Sequence, residues 1–429
     1  MRTALRRLGF RTTNRLKWSA TCPTYRGEPC VSCASARHAA LQQECSRCGV
    51  SAEVTDWNSV PSLAETIRRL QSAKAGALLR PTTTARSKLK PLTDFGSNPG
   101  ALDAWTHVPS TAGTRALVVV LHGCTQTAAG YDHGSGWSDL AERHGFALLF
   151  PEQRRENNAN LCFNWFNVED TRRQGGEAAS IKQMIDKVVE QHSIGPTRIF
   201  VTGLSAGGAM TSVMLAAYPE LFAGGGIIAG LPFGIASSVP QAFERMRGQG
   251  YPSEQVLSDR VRAASPHRGP WPRVSVWHGD ADATVNIVNA DRIIEQWRAL
   301  QQVGATPTRS ESIDGHLRSV WLDRAGNEVI EQYRIHGVGH GVPISTTGPD
   351  GCGVAGPFMI EAGISSTRCL AASWGLLGDE QAMNGANGPE PSASDRSTAA
   401  KAQAGPATTP SISIQAVIEK ALRHAGLMR

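Results

Sequence analysis

No run of 18 consecutive apolar residues occurs anywhere in the 429-residue chain, which argues against a transmembrane helix. The N-terminal stretch MRTALRRLGFRTTNRLKW lacks the apolar core, roughly 7–15 residues long, of a secretory signal peptide. It is basic and poor in acids, a composition it shares with organelle transit peptides. Acids are scarce through all of the first 50 residues. Only Glu28 and Glu44 stand against Arg2, Arg6, Arg7, Arg11, Arg15, Lys17, Arg26, Arg37 and Arg47, a net +7. The whole chain carries +6, so residues 51–429 sum to −1 and offer no surplus positive charge for a nucleic-acid surface. A hydrophobic content of 41% and a charged content of 19% fit a soluble globular body.

Cysteine is concentrated in the same N-terminal segment: Cys22, Cys30, Cys33, Cys45 and Cys48 are five of the nine. Cys30-x2-Cys33 and Cys45-x2-Cys48 form two knuckle-like pairs, and four such thiolates can close a tetrahedral zinc site. The spacing between the pairs is shorter than in most zinc ribbons. The competing reading is an irregular extension that binds nothing.

The chain divides by composition. Residues 1–60 are the basic, Cys-rich extension, and 61–100 a helix with a polar lead-in. Residues 62–80 have helical apolar spacing, with Ser62 and Glu65 as a capping box. From 101 to 378, strand and helix patterns alternate: ALVVVLHG (116–123), FALLFPE (146–152), an amphipathic helix over 180–194, RIFVTG (198–203), a helix to about Tyr218, GGGIIAG (224–230) and VSVWHGD (274–280). Such alternation predicts a doubly wound, mostly parallel α/β sheet. A hairpin over 319–335, turning at Asp323–Asn327, adds an antiparallel edge. Residues 379–410 are rich in Gly, Pro, Ser, Ala and Asn and read as a linker, and 411–429 as an amphipathic helix.

TGLSAGGAM (202–210) contains G-x-S-x-G between a predicted strand and a predicted helix. A serine hydroxyl needs a base within reach and a partner that fixes the base's tautomer. In a strand–turn–helix serine hydrolase those partners follow in the order acid, then histidine. WHGDADATV (277–285) offers Asp280 and Asp282. Asp282 lies further into the loop at the strand's C-terminal end and is favoured, with Asp280 capping the turn. HGVGHGVPI (336–344) offers His340, flanked by glycines, as base, and His336 as a decoy at the strand end. Two N–H groups must face the developing oxyanion. They are expected from Ala206, after the serine, and from Cys124 in HGCTQT (122–127), with His122 in a supporting role.

ALVVVLHGCTQTAAGYD, ALLFPEQ, NLCFNWFN, VTGLSAGGAMTSVMLAAYP, WHGDADATV and GVGHGVP, in that order, resemble the poly(3-hydroxybutyrate) depolymerase family of esterases. The resemblance covers about residues 95–378. It implies an α/β-hydrolase fold and a Ser205–His340–Asp282 triad. It also implies hydrolysis of short-chain polyhydroxyalkanoates or their oligomers, with no metal or organic cofactor in the catalytic domain. Related branches cleave feruloyl or acetyl esters of plant polysaccharides. The resemblance places the protein in the extracellular region, and the absent signal peptide leaves a cytoplasmic location as the alternative. No appended polymer-binding module is visible, so soluble oligomers or small esters are easier substrates than crystalline granules. A more remote reading is a non-catalytic binding protein on the same scaffold with an N-terminal zinc module. Oligomeric state is not legible.

Cys124 and Cys162 lie in two loops expected to meet beside the serine, where a disulfide would brace the oxyanion loop. Cys352 and Cys369 are candidates for a second. Four buried thiols are the alternative. Trp165 in CFNWF is a candidate wall for the substrate pocket or, equally, a core residue.

Overall fold

A computed structural model describes residues 87–110, 114, 116–348 and 350–377. The four N-terminal zinc-candidate cysteines, the helix expected over 62–80, the linker and the C-terminal helix lie outside the described residues. Ten strands form one sheet in the order β1-β2-β4-β3-β5-β6-β7-β10-β9-β8. Their ranges are β1 Lys90–Pro91, β2 Asp103–His107, β3 Leu117–Leu121, β4 Ala147–Glu152, β5 Ile199–Leu204, β6 Gly224–Ile228, β7 Arg273–Gly279, β8 Arg309–Ile313, β9 His316–Leu322 and β10 Glu328–Ile335. Two short strands, β11 Val342–Ile344 and β12 Met359–Glu361, pair separately.

The centre of the sheet is parallel because its strands are apolar on both faces. LVVVL in β3 is buried at every position. Leu117, Val119 and Leu121 pack with Ile181, Met184, Val213 and Ile293. Val118 and Val120 pack with Trp137, Leu140 and Leu370 on the opposite face. Successive strand side chains point to opposite faces, so a continuous apolar run demands cover on both. Helices Gly176–His192, Ala206–Ala217 and Val288–Gln301 cover one face. Helices Trp137–His144 and Ser366–Ser373 cover the other.

The helix expected at 180–194 runs over Gly176–His192 and buries Ile181, Met184, Ile185 and Val188, the face its periodicity indicated. It begins earlier than expected because Glu177, Ala178 and Ala179 are buried too. The expected antiparallel edge is present: β10 runs parallel to β7, while β9 and then β8 add antiparallel. The opposite edge was less legible. β2 pairs antiparallel with β4 and β1 with β2, so the sheet begins inside the polar lead-in. Pro91 is tolerated there because an edge strand needs fewer N–H donors.

Chain order reverses at the centre. From β3 the chain crosses to β4 on one side, and then returns to β5 on the other. The loops leaving β3 and β5 therefore diverge at their C-terminal ends, the place where open α/β sheets hold their ligands. No helix among the described residues is long and apolar enough to cross a membrane.

Ile185 is fully buried against both β-strand and helix neighbours. Ile185→Ala should lower the unfolding free energy by about 3 kcal/mol in a urea titration. Val256→Ala, at a side chain 41% exposed, should change it by less than about 0.5 kcal/mol.

Candidate active site

Ser205 follows β5 directly and precedes the helix Ala206–Ala217. Its backbone is at φ 57° and ψ −116°, a conformation that costs a non-glycine residue on the order of 1–3 kcal/mol. The turn is held from both sides: Ser205 N–H donates to the Ile228 carbonyl (2.9 Å), and Ala209 N–H to the Ser205 carbonyl (2.8 Å). Two neighbouring positions admit only glycine. A Cβ on Gly207 would lie 2.2 Å from the Leu121 carbonyl oxygen, and one on Gly203 would lie 2.5 Å from Gly207. The sequence thus buries the helix start tightly against β3 and leaves Ser205 on the turn itself. Ala206 opens the helix, where backbone N–H groups have no partner within the helix and favour negative charge.

The structure joins Asp282 and His340. Asp282 Oδ2 and His340 Nδ1 are 2.7 Å apart, on the loops after β7 and β10. Those loops touch closely. Ala281 N–H donates to the Val338 carbonyl (3.1 Å), and a Cβ on Gly279 would lie 2.1 Å from the same oxygen. Asp282 Oδ1 accepts from Thr284 N–H (2.8 Å) and Val285 N–H (2.9 Å), so both its oxygens are used and the carboxylate cannot rotate. Burial alone would raise this carboxyl. Hydrogen bonds from His278 and His340, with the charge of both rings, outweigh it and hold Asp282 well below the usual carboxylate range.

The second Asp–His pair is of a different kind. Asp280 Oδ2 meets His336 Nδ1 at 2.9 Å and Asp280 Oδ1 accepts from Gly337 N–H at 2.7 Å. Asp280 thus ties two loop ends together rather than capping its own turn; the carboxylate that accepts from that turn's own N–H groups is Asp282. The His336 side chain is 83% exposed, whereas that of His340 is 6% exposed, so water competes for the first pair and not for the second.

Sequence reasoning passed over His278. It is buried at the end of β7, and its Nε2–H donates to the Val285 carbonyl (2.7 Å) and lies 3.3 Å from Asp282 Oδ2. The only signal for it was a polar residue ending an otherwise apolar strand, VSVWHG.

The loop after β3 is fixed by three devices. His122 is buried; its Nδ1–H donates to the Gly123 carbonyl (2.8 Å), and its Nε2 accepts Gln153 N–H (3.1 Å). Those partners assign the tautomer, because one can only accept and the other only donate. Thr125, at φ 65°, donates its N–H to the Asn160 carbonyl (2.7 Å). Cys124 and Cys162 form a disulfide.

The loop that receives these contacts is anchored in turn by Glu177, another residue that sequence reasoning missed. Glu177 Oε1 accepts from Gln153 Nε2 (2.6 Å) and Asn164 Nδ2 (2.8 Å), and Oε2 from Asn164 N–H (2.8 Å). Burial, reinforced by the charge of Asp170, pushes Glu177 up to about 8 against these hydrogen bonds. Trp165 is buried in the same apolar cluster as Leu121 and Ala206, with its ring edge-on to Phe166.

The second candidate disulfide does not form. Cys352 and Cys369 are both free thiols. Cys352 Sγ is aimed at the carbonyls of Ser135 and Gly136 (3.5 and 3.6 Å), while Cys369 lies near the charges of Glu331 and Arg318. Burial pushes both thiols up to about 11, so they are protonated at neutral pH.

A strand order with one central reversal, and a strained serine on the turn after β5, define the α/β-hydrolase fold. Comparison with known proteins gives the family. The family model described as Esterase PHB depolymerase matches residues 104–314. Poly(3-hydroxyalkanoate) depolymerase C of Paucimonas lemoignei is 41% identical over 307 residues, spanning 71% of this chain and 74% of that protein. Acetylxylan esterase of Coprinopsis cinerea is 32% identical over 268 residues, 61% of this chain and 71% of its own. Among solved structures, acetyl xylan esterase from Aspergillus awamori is similar, with a TM-score of 0.55 and 27% identity over 59% of this chain and 93% of that one. The chain belongs to the PHB depolymerase family of esterases and is a carboxylic ester hydrolase.

Burial holds His122 down to about 4, against an unfolded value of 6.5. On acidification the unfolded chain takes up this proton first, which favours unfolding. The stability contributed by neutral His122 is complete above pH 6.5 and is lost as pH falls toward 4. His122→Asn keeps a donor for Gly123 and does not titrate. Its Tm should be lower than wild type at neutral pH, and should fall less steeply between pH 6.5 and 4.

Proposed function

We propose that this esterase works through Ser205, His340 and Asp282, and that its substrates are esters of short-chain hydroxyalkanoic acids. The observation that carries the reading is the strained Ser205 turn after the central strand, with a buried Asp282–His340 pair on the loops of two later strands. Asp282 accepts the Nδ1–H of His340, which leaves Nε2 as the basic nitrogen. His340 Nε2 takes the Ser205 proton as Oγ attacks the ester carbonyl. The tetrahedral oxyanion is held by the N–H groups of Ala206 and Cys124. His340 then gives the proton to the departing alkoxide, leaving an acyl-enzyme. Water, deprotonated by the same imidazole, repeats the sequence and releases the acid and free Ser205.

Preorganisation explains the structure spent on the β3 loop. Oxyanion donors act only if they need no rearrangement when charge develops. The disulfide, the His122 bridge and the Glu177 network would hold Cys124 in that state. A disulfide in this position also supports the extracellular location, since such bonds persist in oxidising compartments.

The hydroxyalkanoate assignment is supported by the 41% identity to a poly(3-hydroxyalkanoate) depolymerase. Acetylated xylan is the second reading, supported by the 32% identical acetylxylan esterase. A panel of amorphous polyhydroxybutyrate, soluble hydroxybutyrate oligomers, acetylated xylan and methyl ferulate separates them. The oligomers should give the highest kcat/KM, and preferred turnover of acetylated xylan or methyl ferulate would overturn the substrate assignment.

Ser205→Ala should abolish hydrolysis of p-nitrophenyl butyrate, and retention of most of it would sink the mechanism. Asp282→Asn should lower kcat by about 10³-fold or more, because it would present the wrong tautomer of His340. Asp280→Asn should stay within about threefold of wild type, as expected of an exposed pair.

A further inference from the structure

Phe358 occupies a position where glycine is the ordinary choice. Residues 356–359 read Gly-Pro-Phe-Met. Gly356 and Met359 exchange two backbone hydrogen bonds, each 3.0 Å, and so close a tight turn. Phe358 has φ 63°. Proline second and a positive φ third are the marks of a type II turn, whose third position favours Gly or Asn. Among the described residues Phe358 is the only aromatic in this region of backbone space. A bulky side chain held there is a strain that the surrounding structure must impose.

Its surroundings show what the strain secures. The turn leads into β12, which pairs in parallel with β11, and β11 begins two residues after His340. The Phe358 carbonyl accepts Val342 N–H at 2.8 Å, so the turn is fixed to the histidine loop through the backbone. The Phe358 ring stands edge-on to the His340 imidazole, with centroids 6.4 Å apart and planes at 85°. The ring is partly buried, and residues 354–357 before it are exposed.

We propose that Phe358 is a specificity-determining residue. Its ring would form the wall of the site on the leaving-group side, against which the alcohol portion of the ester packs. The inference rests on the reading of His340 as the acid that protonates the leaving alkoxide. A general acid must come within hydrogen-bond reach of that oxygen, so a ring packed beside the imidazole is placed to border the alcohol portion of the ester. An apolar, partly exposed ring there favours alkyl or hydroxyalkanoate alcohols over small or strongly hydrated ones. The competing role is plain packing, since Phe358 also lies against the apolar cluster that contains Ile360 and Met359.

Phe358→Gly separates the two, because glycine suits the turn. Wild type and variant are compared on acetate esters of methanol, butanol and 2-phenylethanol, and on methyl esters of acetic, butyric and hexanoic acids. The ratio of kcat/KM for butyl over methyl acetate should fall about tenfold, the scale expected for lost apolar contact in a pocket. The acyl-series ratios should move less than twofold, and Tm should hold or rise as the backbone relaxes. An unchanged alcohol ratio would overturn the proposal, and a Tm loss of several degrees with that unchanged ratio would mark the ring as core. Should the glycine variant not fold, Phe358→Leu is read by the same ratios. Labelling of wild type with a fluorophosphonate tells the two levels apart. Labelling at Ser205 with an unchanged alcohol ratio removes only this inference, while labelling elsewhere removes the proposed triad and this inference with it.

Discussion

The Leu121 and His122 carbonyl oxygens stand where any side chain on Gly207 would have to go. That contact between the end of β3 and the first turn of the next helix is the constraint on which the site depends. It brings the helix start down onto the sheet and forces the chain to turn within one residue. Ser205 accordingly takes a φ of 57°, and its cost is met by the apolar burial on both sides of β5.

Burial distinguishes two pairs that are chemically alike. Asp280–His336 and Asp282–His340 have similar Nδ1–Oδ2 distances, 2.9 and 2.7 Å. In the exposed pair, water screens the attraction and can replace either partner. In the buried pair the same contact acts in a medium of lower polarisability, and two backbone N–H groups hold the far oxygen of Asp282. His278 Nε2, which donates to the Val285 carbonyl, also lies 3.3 Å from Asp282 Oδ2. The result is a carboxylate that stays charged despite burial, which is what an imidazole needs if its tautomer is to be fixed.

Four of the twelve non-glycine residues with positive φ among the described residues lie on loops near these groups. Thr125, Leu161, Ser205 and Phe358 all have positive φ, and each lies on one of the loops discussed above. The first two flank the Cys124–Cys162 disulfide, and the last is tied to the histidine loop by β11 and β12. Thr125, Ser205 and Phe358 are each tied by a backbone hydrogen bond to a different part of the chain, at Asn160, Ile228 and Val342. Rigid sheet strands supply the frame, and cross-links between their loops supply the precision that the strands alone do not.

Much of the fold, and the strand ends at which Ser205, Asp282 and His340 fall, could be read along the chain. Apolar runs in β3, β4 and β5 required a sheet covered on both faces. The glycines around Ser205 required a close helix, and the order of Ser205, Asp282 and His340 followed the strands. These features are local or periodic, and the sequence carries local and periodic information directly. Tertiary structure decided the rest. The sequence favoured Asp282 over Asp280 and His340 over His336 from loop position alone; the contrast in burial between the two pairs depends on what packs above each loop. Cys352 and Cys369 were candidates for a second disulfide, yet among the described cysteines only Cys124 and Cys162 meet. His278 meets Asp282 and Val285 nearby, but only because the loop after β7 folds back on the strand end. Glu177 and Phe358 meet partners distant in sequence, through hydrogen bonds or a ring contact that no spacing rule records. Such contacts arise from long-range packing, where several elements must be in place before two side chains can meet.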